Sequence, residues 1–552
     1  MEQTRLLLAI GLSFLVLFVW SNFFIEQPSI QESVETPQSN GKIASTEMVK
    51  SRQPVAGVEQ KDLKKVEMVQ TQGSPLREII IDTPLYTTTL STKGATFKSF
   101  VLKKYKETVS PDSPDKQLIP KEFLKFGSIK TTLNNNSIKG LAEAVYSSNA
   151  TEDRIYLSGE KKSISFDWMT EDGTGLTKTY TFDPESYLIE LNITVKNASN
   201  RNLSDRLILS LNKFVGEDSG YAFIGPSALI NKSLEQIKTK KIEDKSEYSG
   251  EITWASVEDR YFISSVIPEE PIKGDIKISM TDRVVINSLM NPEFEIQAGT
   301  QKSFGFFLFM GPKSMELLDS LGHDMGKALN FGFFNIIAKP CLWFMNRIHG
   351  VIPNYGIAII LLTVFTKILL WPLGNKSYKS MSEMKKLQPL MTEIREKYKN
   401  DKQKMNQELM ALYRTYKVNP MGGCLPMVLQ IPVFFALYRM LYQAIELRHA
   451  PFFMWINDLS APDRLFNFGF PIPFMEPPYG IPVLTIVMGA TMLLQQKMSP
   501  PPGDPTQAKM MMLMPVVFTF IFINFSSGLV LYWLINNLLS ISQQYYVQKK
   551  TL

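Results

Sequence analysis

The pattern of apolar and polar positions changes several times along the chain, and each change marks a different environment. Residues 6–25 carry no charge and are long enough to cross a hydrocarbon core of about 30 Å. A cleaved signal peptide would have an apolar centre of about 7 to 15 residues ending at a small-residue site. Here the run continues through Phe23, Phe24 and Ile25 into Glu26, so residues 1–26 read as an uncleaved transmembrane anchor. Residues 27–75 are polar and aperiodic, the signature of a flexible linker. From 76 to 316 the period becomes two: Ile189, Leu191, Ile193 and Val195 alternate with Glu190, Asn192, Thr194 and Lys196 before a turn at Asn197. Similar runs at 77–90, 163–170, 176–182, 206–214, 283–290 and 303–310, with no helical period between them, predict a large all-β antiparallel sandwich.

Helical spacing returns at 317–350, where Phe331, Phe333, Phe334, Trp343 and Phe344 stand beside Lys327, Lys339 and Arg347. That mixture predicts an amphipathic helix lying along a membrane surface. Apolar runs near 355–373, 421–445, 481–496, 510–525 and 528–545 add five spans to the anchor. The fold class is therefore a six-span α-helical membrane protein, with a five-helix core at 351–552 and a β domain on one side. Residues 375–417 carry two further stripes, Met384, Leu387, Met391, Ile394 and Tyr398, then Met405, Leu409, Leu412 and Tyr416, which predict a helical hairpin. With Met381, the methionines Met384, Met391 and Met405 offer an adaptable apolar surface, unless the two stripes simply close on each other.

Charge fixes the orientation. Lys376, Lys379, Lys385, Lys386, Arg395, Lys397 and Lys399 crowd the hairpin, which the positive-inside rule places in the cytoplasm. Six spans then leave both termini cytoplasmic and put residues 27–350 on the opposite face, which in a bacterium is the periplasmic side of the inner membrane. Cys341 and Cys424 are the only cysteines, from which no structural zinc set can be assembled, and His323, His349 and His449, the only histidines, all fall outside the apolar runs, so neither a membrane-embedded HExxH site nor a serine–histidine dyad is available. Gly173, Gly175 and Lys178 lack Walker spacing. The sequence thus predicts no cofactor, no metal, no nucleic acid substrate and no catalytic residue.

One residue breaks the apolar pattern of its span. Lys367 sits inside the run 355–373, where a central lysine costs about +3 kcal/mol. Pro372 follows five residues later, so a snorkelling ammonium needs to climb only about 7 Å. Anchor and working charge both remain open on position alone. No Asp or Glu occurs in any of the five C-terminal runs, however, and a charge without a counter-ion needs water. Thr363 lies one turn before Lys367, Gln430 interrupts the third span, and Tyr532, Asn536 and Ser540 align at intervals of four in the last. Together they predict a polar surface within the membrane. The fourth and fifth runs are short against about 30 Å of hydrocarbon, which thins the bilayer locally.

At this point several motifs resemble the YidC-type membrane protein insertases. VNPMGGCLP at 418–426, QKMSP at 496–500 and SGLVLYW at 527–533 are similar to the family's third, fourth and last spans, and DRYF at 259–262 and GPK at 311–313 to its periplasmic domain in Gram-negative members. The resemblance implies a non-enzymatic insertase and chaperone whose β-supersandwich lies in the periplasm and whose hydrated, positively charged groove receives hydrophilic parts of a nascent inner-membrane protein. It carries over a groove formed by Lys367, Thr363, Gln430, Tyr532, Trp533 and Asn536. Lys367 stands where the family often has arginine, and Trp533 where a second tyrosine is common. The implied partners are nascent inner-membrane proteins, Sec translocon components, the ribosome or targeting factors, and the lipid bilayer. A small-molecule transporter or channel with a sugar-binding-like periplasmic domain is the alternative. Such a protein would normally carry internal repeats and acidic relay residues, and neither occurs here.

Overall fold

The structure is a computed structural model that describes residues 61–62, 75–120, 127–216, 222–416, 418, 425–499 and 505–551. The expected anchor at 1–26 lies outside the described residues, as does all but the end of the 27–75 linker apart from Lys61–Asp62. Gln60–Pro501 and Met512–Leu552 form one unit, and Met1–Glu59 with Pro502–Met511 a second, of which the described residues are the opening turns of a helix.

Period-two alternation yields two sheets. The larger has 14 strands, and along its main path Leu203–Phe214, Val284–Ile296, Ile272–Thr281, Glu247–Glu258, Phe262–Pro268, Thr300–Pro312, Leu188–Asn197, Thr174–Phe182 and Lys162–Met169 lie side by side. All of its pairings are antiparallel. The smaller, five-stranded sheet runs Asp115–Ile119, Thr96–Lys106, Tyr86–Ser91, Glu78–Asp82 and Arg154–Tyr156, with only the last pair parallel. Strand Leu188–Asn197 shows why the pattern works: Ile189, Leu191, Ile193 and Val195 are buried, while Leu191 faces Phe306 and Ile193 faces Phe304 across the ladder.

The single strand expected over 77–90 is two strands. Thr83 breaks it, because its hydroxyl accepts the N–H groups of Leu85 and Tyr86 and donates to the Tyr86 carbonyl, closing a turn before Tyr86–Ser91. The helix expected over 317–350 is likewise broken. It begins as α1 (Met315–Ser320) and resumes as α2 (Asn335–Val351). Between them Gly322, His323, Asp324 and Gly332 adopt positive φ, which no right-handed helix can continue through.

The helical core consists of α3 (Tyr355–Lys397), α4 (Lys402–Thr415), α5 (Leu425–Gln443), α6 (Val483–Met498), α7 (Pro505–Phe522) and α8 (Ser527–Thr551). Helix α3 starts on Asn354, whose side chain accepts the Ile357 N–H at 3.0 Å. It runs unbroken for 43 residues, so the second span and the first arm of the hairpin are one helix of about 65 Å. Among the described residues α3 is the helix long and apolar enough to cross a membrane by length and composition, and 509–522 is a shorter apolar stretch. The six-span count is therefore not reached from the described helices: α6 has 16 residues, below the usual length of about 20, and the first expected span is outside them. Helix α8 packs between α3 and α6, and α2 lies against α3 and α5.

The β domain meets the core at the far end of α5. Arg260 donates to the Tyr442 carbonyl at 2.7 Å with its guanidinium 3.6 Å from the Tyr442 ring, and Arg448 donates to the Glu107 carbonyl at 3.1 Å. The hairpin closes at the opposite end of α3, which separates β domain and hairpin by the length of the core.

Candidate functional site: a cationic cavity between three helices

Helical geometry sets the positions first. On α3, Lys367, Leu370, Gly374 and Tyr378 follow at steps of three and four and share a face; on α8, Tyr532, Asn536, Ser540 and Gln543 do the same. These two faces, with Gln430 and Val433 of α5, enclose a cavity of about 40 Å³. A water needs about 10 to 15 Å³ of such space, so the cavity has room for a few.

The Lys367 ammonium donates to Ser540 Oγ at 2.6 Å, and Ser540 in turn donates to the Asn536 carbonyl at 2.7 Å. Tyr378 also reaches Ser540, and Gln430 bonds the Tyr532 phenol. Gly374 lets Gln543 come close: a Cβ there would stand 2.8 Å from Gln543 Nε2, which instead donates to the Trp371 carbonyl at 3.1 Å and to Asn375 Oδ1 at 2.9 Å. No carboxylate lines the cavity, and among the described residues Lys367 enters no ion pair. The site can hold water and an anion's oxygens.

The structure brings Lys367, Gln430, Tyr532 and Asn536 together. Thr363 is elsewhere: it is sealed from solvent one turn away and donates to the Ile359 carbonyl of its own helix at 2.6 Å. Trp533 is also turned away, with its ring edge-on to Phe434 at 4.6 Å and 5.1 Å from Phe522. One residue past Tyr532 is about 100° round the helix, which carries Trp533 off the cavity wall. Thr366, Tyr378 and Gln543 are lining residues that the sequence reading passed over. Extending the Lys367 spacing by three turns and the Asn536 spacing by two would have found the last two.

The methionines divide as well. Met391 is buried with Leu387, Leu409 and Val418 in the hairpin's own core, and Met384 and Met405 pack against it. The stripes close on each other at these three, so they are not a free surface. Met381 lies outside that cluster and is half-buried.

The β domain places its charges differently. Lys313 donates to Glu258 at 2.6 Å with both side chains buried, and Lys213 pairs with Asp259 at 3.4 Å. Burial pulls Lys213 below its ordinary value; burial also opposes the Asp259 charge, but Lys213 and the Tyr261 and Phe262 amides outweigh it and hold that carboxyl low. An open depression of about 560 Å³ is lined by Arg206, Glu251, Lys273 and Asp275, but Arg206 and Asp275 are engaged with each other at 2.5 Å. Among the described residues no cluster of three or more His, Cys, Asp or Glu side chains could hold a metal.

Fold and site together define a class: a helical membrane core with a polar, cationic cavity, carrying a large β-sandwich domain on one side. Two family descriptions divide nearly the whole chain between them, the YidC periplasmic domain over residues 78–344 and the 60Kd inner membrane protein over 347–552. The chain belongs to the YidC family of membrane protein insertases. The membrane protein insertase YidC of Syntrophus aciditrophicus is 41% identical over 539 residues, covering 96% of this chain and 93% of its own. That of Syntrophobacter fumaroxidans is 43% identical over 481 residues, 85% of this chain and 86% of its own. A crystal structure described as an active YidC insertase with the first transmembrane domain resolved aligns over 86% of this chain and 93% of its own at 18% identity, with a TM-score of 0.37. A likeness at that score adds nothing to the assignment.

Proposed function

We propose that this chain inserts nascent inner-membrane proteins by receiving their hydrophilic segments in the Lys367 cavity while their apolar segments partition into lipid. The observation that carries the reading is a membrane-embedded ammonium whose nearest partner is a neutral hydroxyl, Ser540, at a cavity without carboxylates. An acidic residue crossing hydrocarbon alone faces about +3 kcal/mol. Next to Lys367, with Gln430, Tyr532 and Asn536 as hydrogen-bond partners, it loses less solvation and gains an opposite charge. Hydrophobic partitioning of the substrate's own span supplies the drive, so the step needs no nucleotide, metal or covalent intermediate.

The cationic hairpin favours a cytoplasmic hairpin with both termini on that side, and a β domain in the periplasm. The family motifs favour work alone or beside the Sec translocon, on chains delivered by ribosomes or targeting factors. Thr363 and Trp533 support the cavity from behind rather than touching substrate, and Met381 is the hairpin methionine left for contact with one.

Photocrosslinkers test the site. Probes at Gln430 and Asn536 should capture a stalled nascent membrane protein more strongly than probes at Ile368 and Leu369, which are exposed on the outer face of α3. Capture from Ile368 and Leu369 alone would overturn the cavity as the substrate site.

A further inference from the structure

The connection between α5 and α6 carries a second feature, apart from the Lys367 cavity. Within it, Leu465–Phe468 pairs with Tyr479–Ile481 as a short antiparallel ribbon. The chain from 465 to 481 reads LFNFGFPIPFMEPPYGI, with Glu476 its one charged residue. Instead of turning inward, its rings face out: Phe466 is 67% exposed, Phe470 62% and Phe474 88%. Phe468 and Phe470 stack at 5.7 Å with planes 7° apart, so two of its rings form one aromatic surface. Contiguous exposed apolar surface of this kind marks an interaction site.

The backbone of the tip is arranged for an apolar medium. Four of its residues, Pro471, Pro473, Pro477 and Pro478, have no N–H to leave unpaired. The carbonyls of Phe474 and Pro478 accept from Asn524 at 3.0 Å and from Arg464 at 2.8 Å, and the Glu476 N–H donates to Asn524 Oδ1 at 2.9 Å. Arg464 also donates to the Ile523 carbonyl at 2.8 Å, so the tip is tied to the turn between α7 and α8. Two carbonyls and an N–H that water would otherwise satisfy are thus met from inside, which lowers the cost of entering lipid.

Position selects the partner. The ribbon leads directly into Val483, the first residue of α6, and stands at the end of the core where Arg260 and Arg448 meet the β domain. Helix α6 is about 24 Å long, short of a 30 Å hydrocarbon core. An aromatic tip continuous with an apolar helix and almost free of charge fits the headgroup–acyl boundary, where aromatic rings concentrate. A protein partner would be expected to meet some charge complementarity at the rim, and Glu476 is all the tip offers.

We propose that the tip formed by Phe466, Phe470 and Phe474 is seated in the lipid interface on the β-domain side of the membrane and anchors the start of α6. The full chain in phosphatidylethanolamine–phosphatidylglycerol vesicles, with p-benzoylphenylalanine in place of Phe470 or Phe474, is irradiated and its adducts identified by mass spectrometry. The ring replaces a ring, so the fold is kept. Lipid adducts should exceed those from the same probe at Tyr156, an exposed residue of the β domain, by about tenfold, because only a ring seated at the acyl boundary keeps lipid C–H bonds within reach. Adducts no higher than at Tyr156, or adducts to protein alone, would overturn it. Neither result bears on capture at Gln430 and Asn536, so this proposal and the cavity fail separately.

Discussion

Lys178 and Lys367 each donate to a neutral oxygen rather than to a carboxylate, and their surroundings have opposite consequences. Lys178 lies in the β sandwich, donates to the Gly94 carbonyl at 2.7 Å, and has its ammonium 5.6 Å from the Tyr146 ring. It is closed off on every side. Burial, reinforced by the nearby positive charge of Lys130, brings its pKa down to about 7, despite carbonyl and ring contacts that favour the ammonium. Lys367 has an equally neutral partner in Ser540 but opens onto a cavity, so its remaining donors stay available. An unpaired cation is therefore not itself a sign of function. What distinguishes Lys367 is access, and the rest of the β domain underlines this by pairing its other buried lysines with Glu258 and Asp259.

The comparison can be broken at several points. The largest effect on stability should come from the paired charges: Glu258→Ala leaves the buried Lys313 ammonium uncompensated and strips Gln236 of its 3.0 Å acceptor. The loss should be about 3 to 5 kcal/mol in denaturant unfolding of the full chain, and a loss below 1 kcal/mol would show that the pair is not structural.

Lys178 comes next, with a defined pH dependence. Its folded pKa of about 7 lies below the ordinary 10.5, so between those values the unfolded chain holds a proton that the folded chain lacks. Stability of the β domain should rise from pH 7 to pH 10, by up to about 1.4 kcal/mol per unit from this group, and level off below 7. Lys178→Met should flatten the slope while leaving insertion unchanged. An identical slope in the variant would mean that Lys178 remains charged in its closed site. Ser540→Ala should be the mildest, removing one hydrogen bond worth about 1 kcal/mol and lowering insertion only slightly, since the cation persists. Complete loss of insertion would make the hydroxyl, not the ammonium, the essential group.

Legibility in the sequence followed the same division. Alternation in 188–197 gave the buried face directly, because a strand has only two faces and one was apolar. The lone charge in an apolar run pointed to Lys367, and interrupted polarity on other spans pointed to Gln430, Tyr532 and Asn536, which do gather around it. Helical spacing states which residues share a face but not which neighbour covers that face. Thr363 therefore read as part of the polar surface although its own side chain is sealed from solvent, and Trp533 read with Tyr532 although its ring packs on Phe434 and Phe522. For the methionine stripes the spacing left two readings open, a free surface or closure on each other, and closure is what Met384, Met391 and Met405 show. In the helix expected over 317–350, His323 and Asp324 at positive φ interrupt a pattern whose side chains alone looked continuous.

Reversing the charge at Lys367 tests the central claim most directly. Insertion into vesicles would be measured for two substrates differing only in whether the translocated tail carries acidic or neutral residues, with wild type, Lys367→Arg and Lys367→Glu. Lys367→Arg should retain both activities. Lys367→Glu should lower insertion of the acidic tail by about tenfold, the factor that about 1.4 kcal/mol of lost attraction carries, and spare the neutral one. Equal insertion of both tails by Lys367→Glu would contradict an electrostatic role for the cavity.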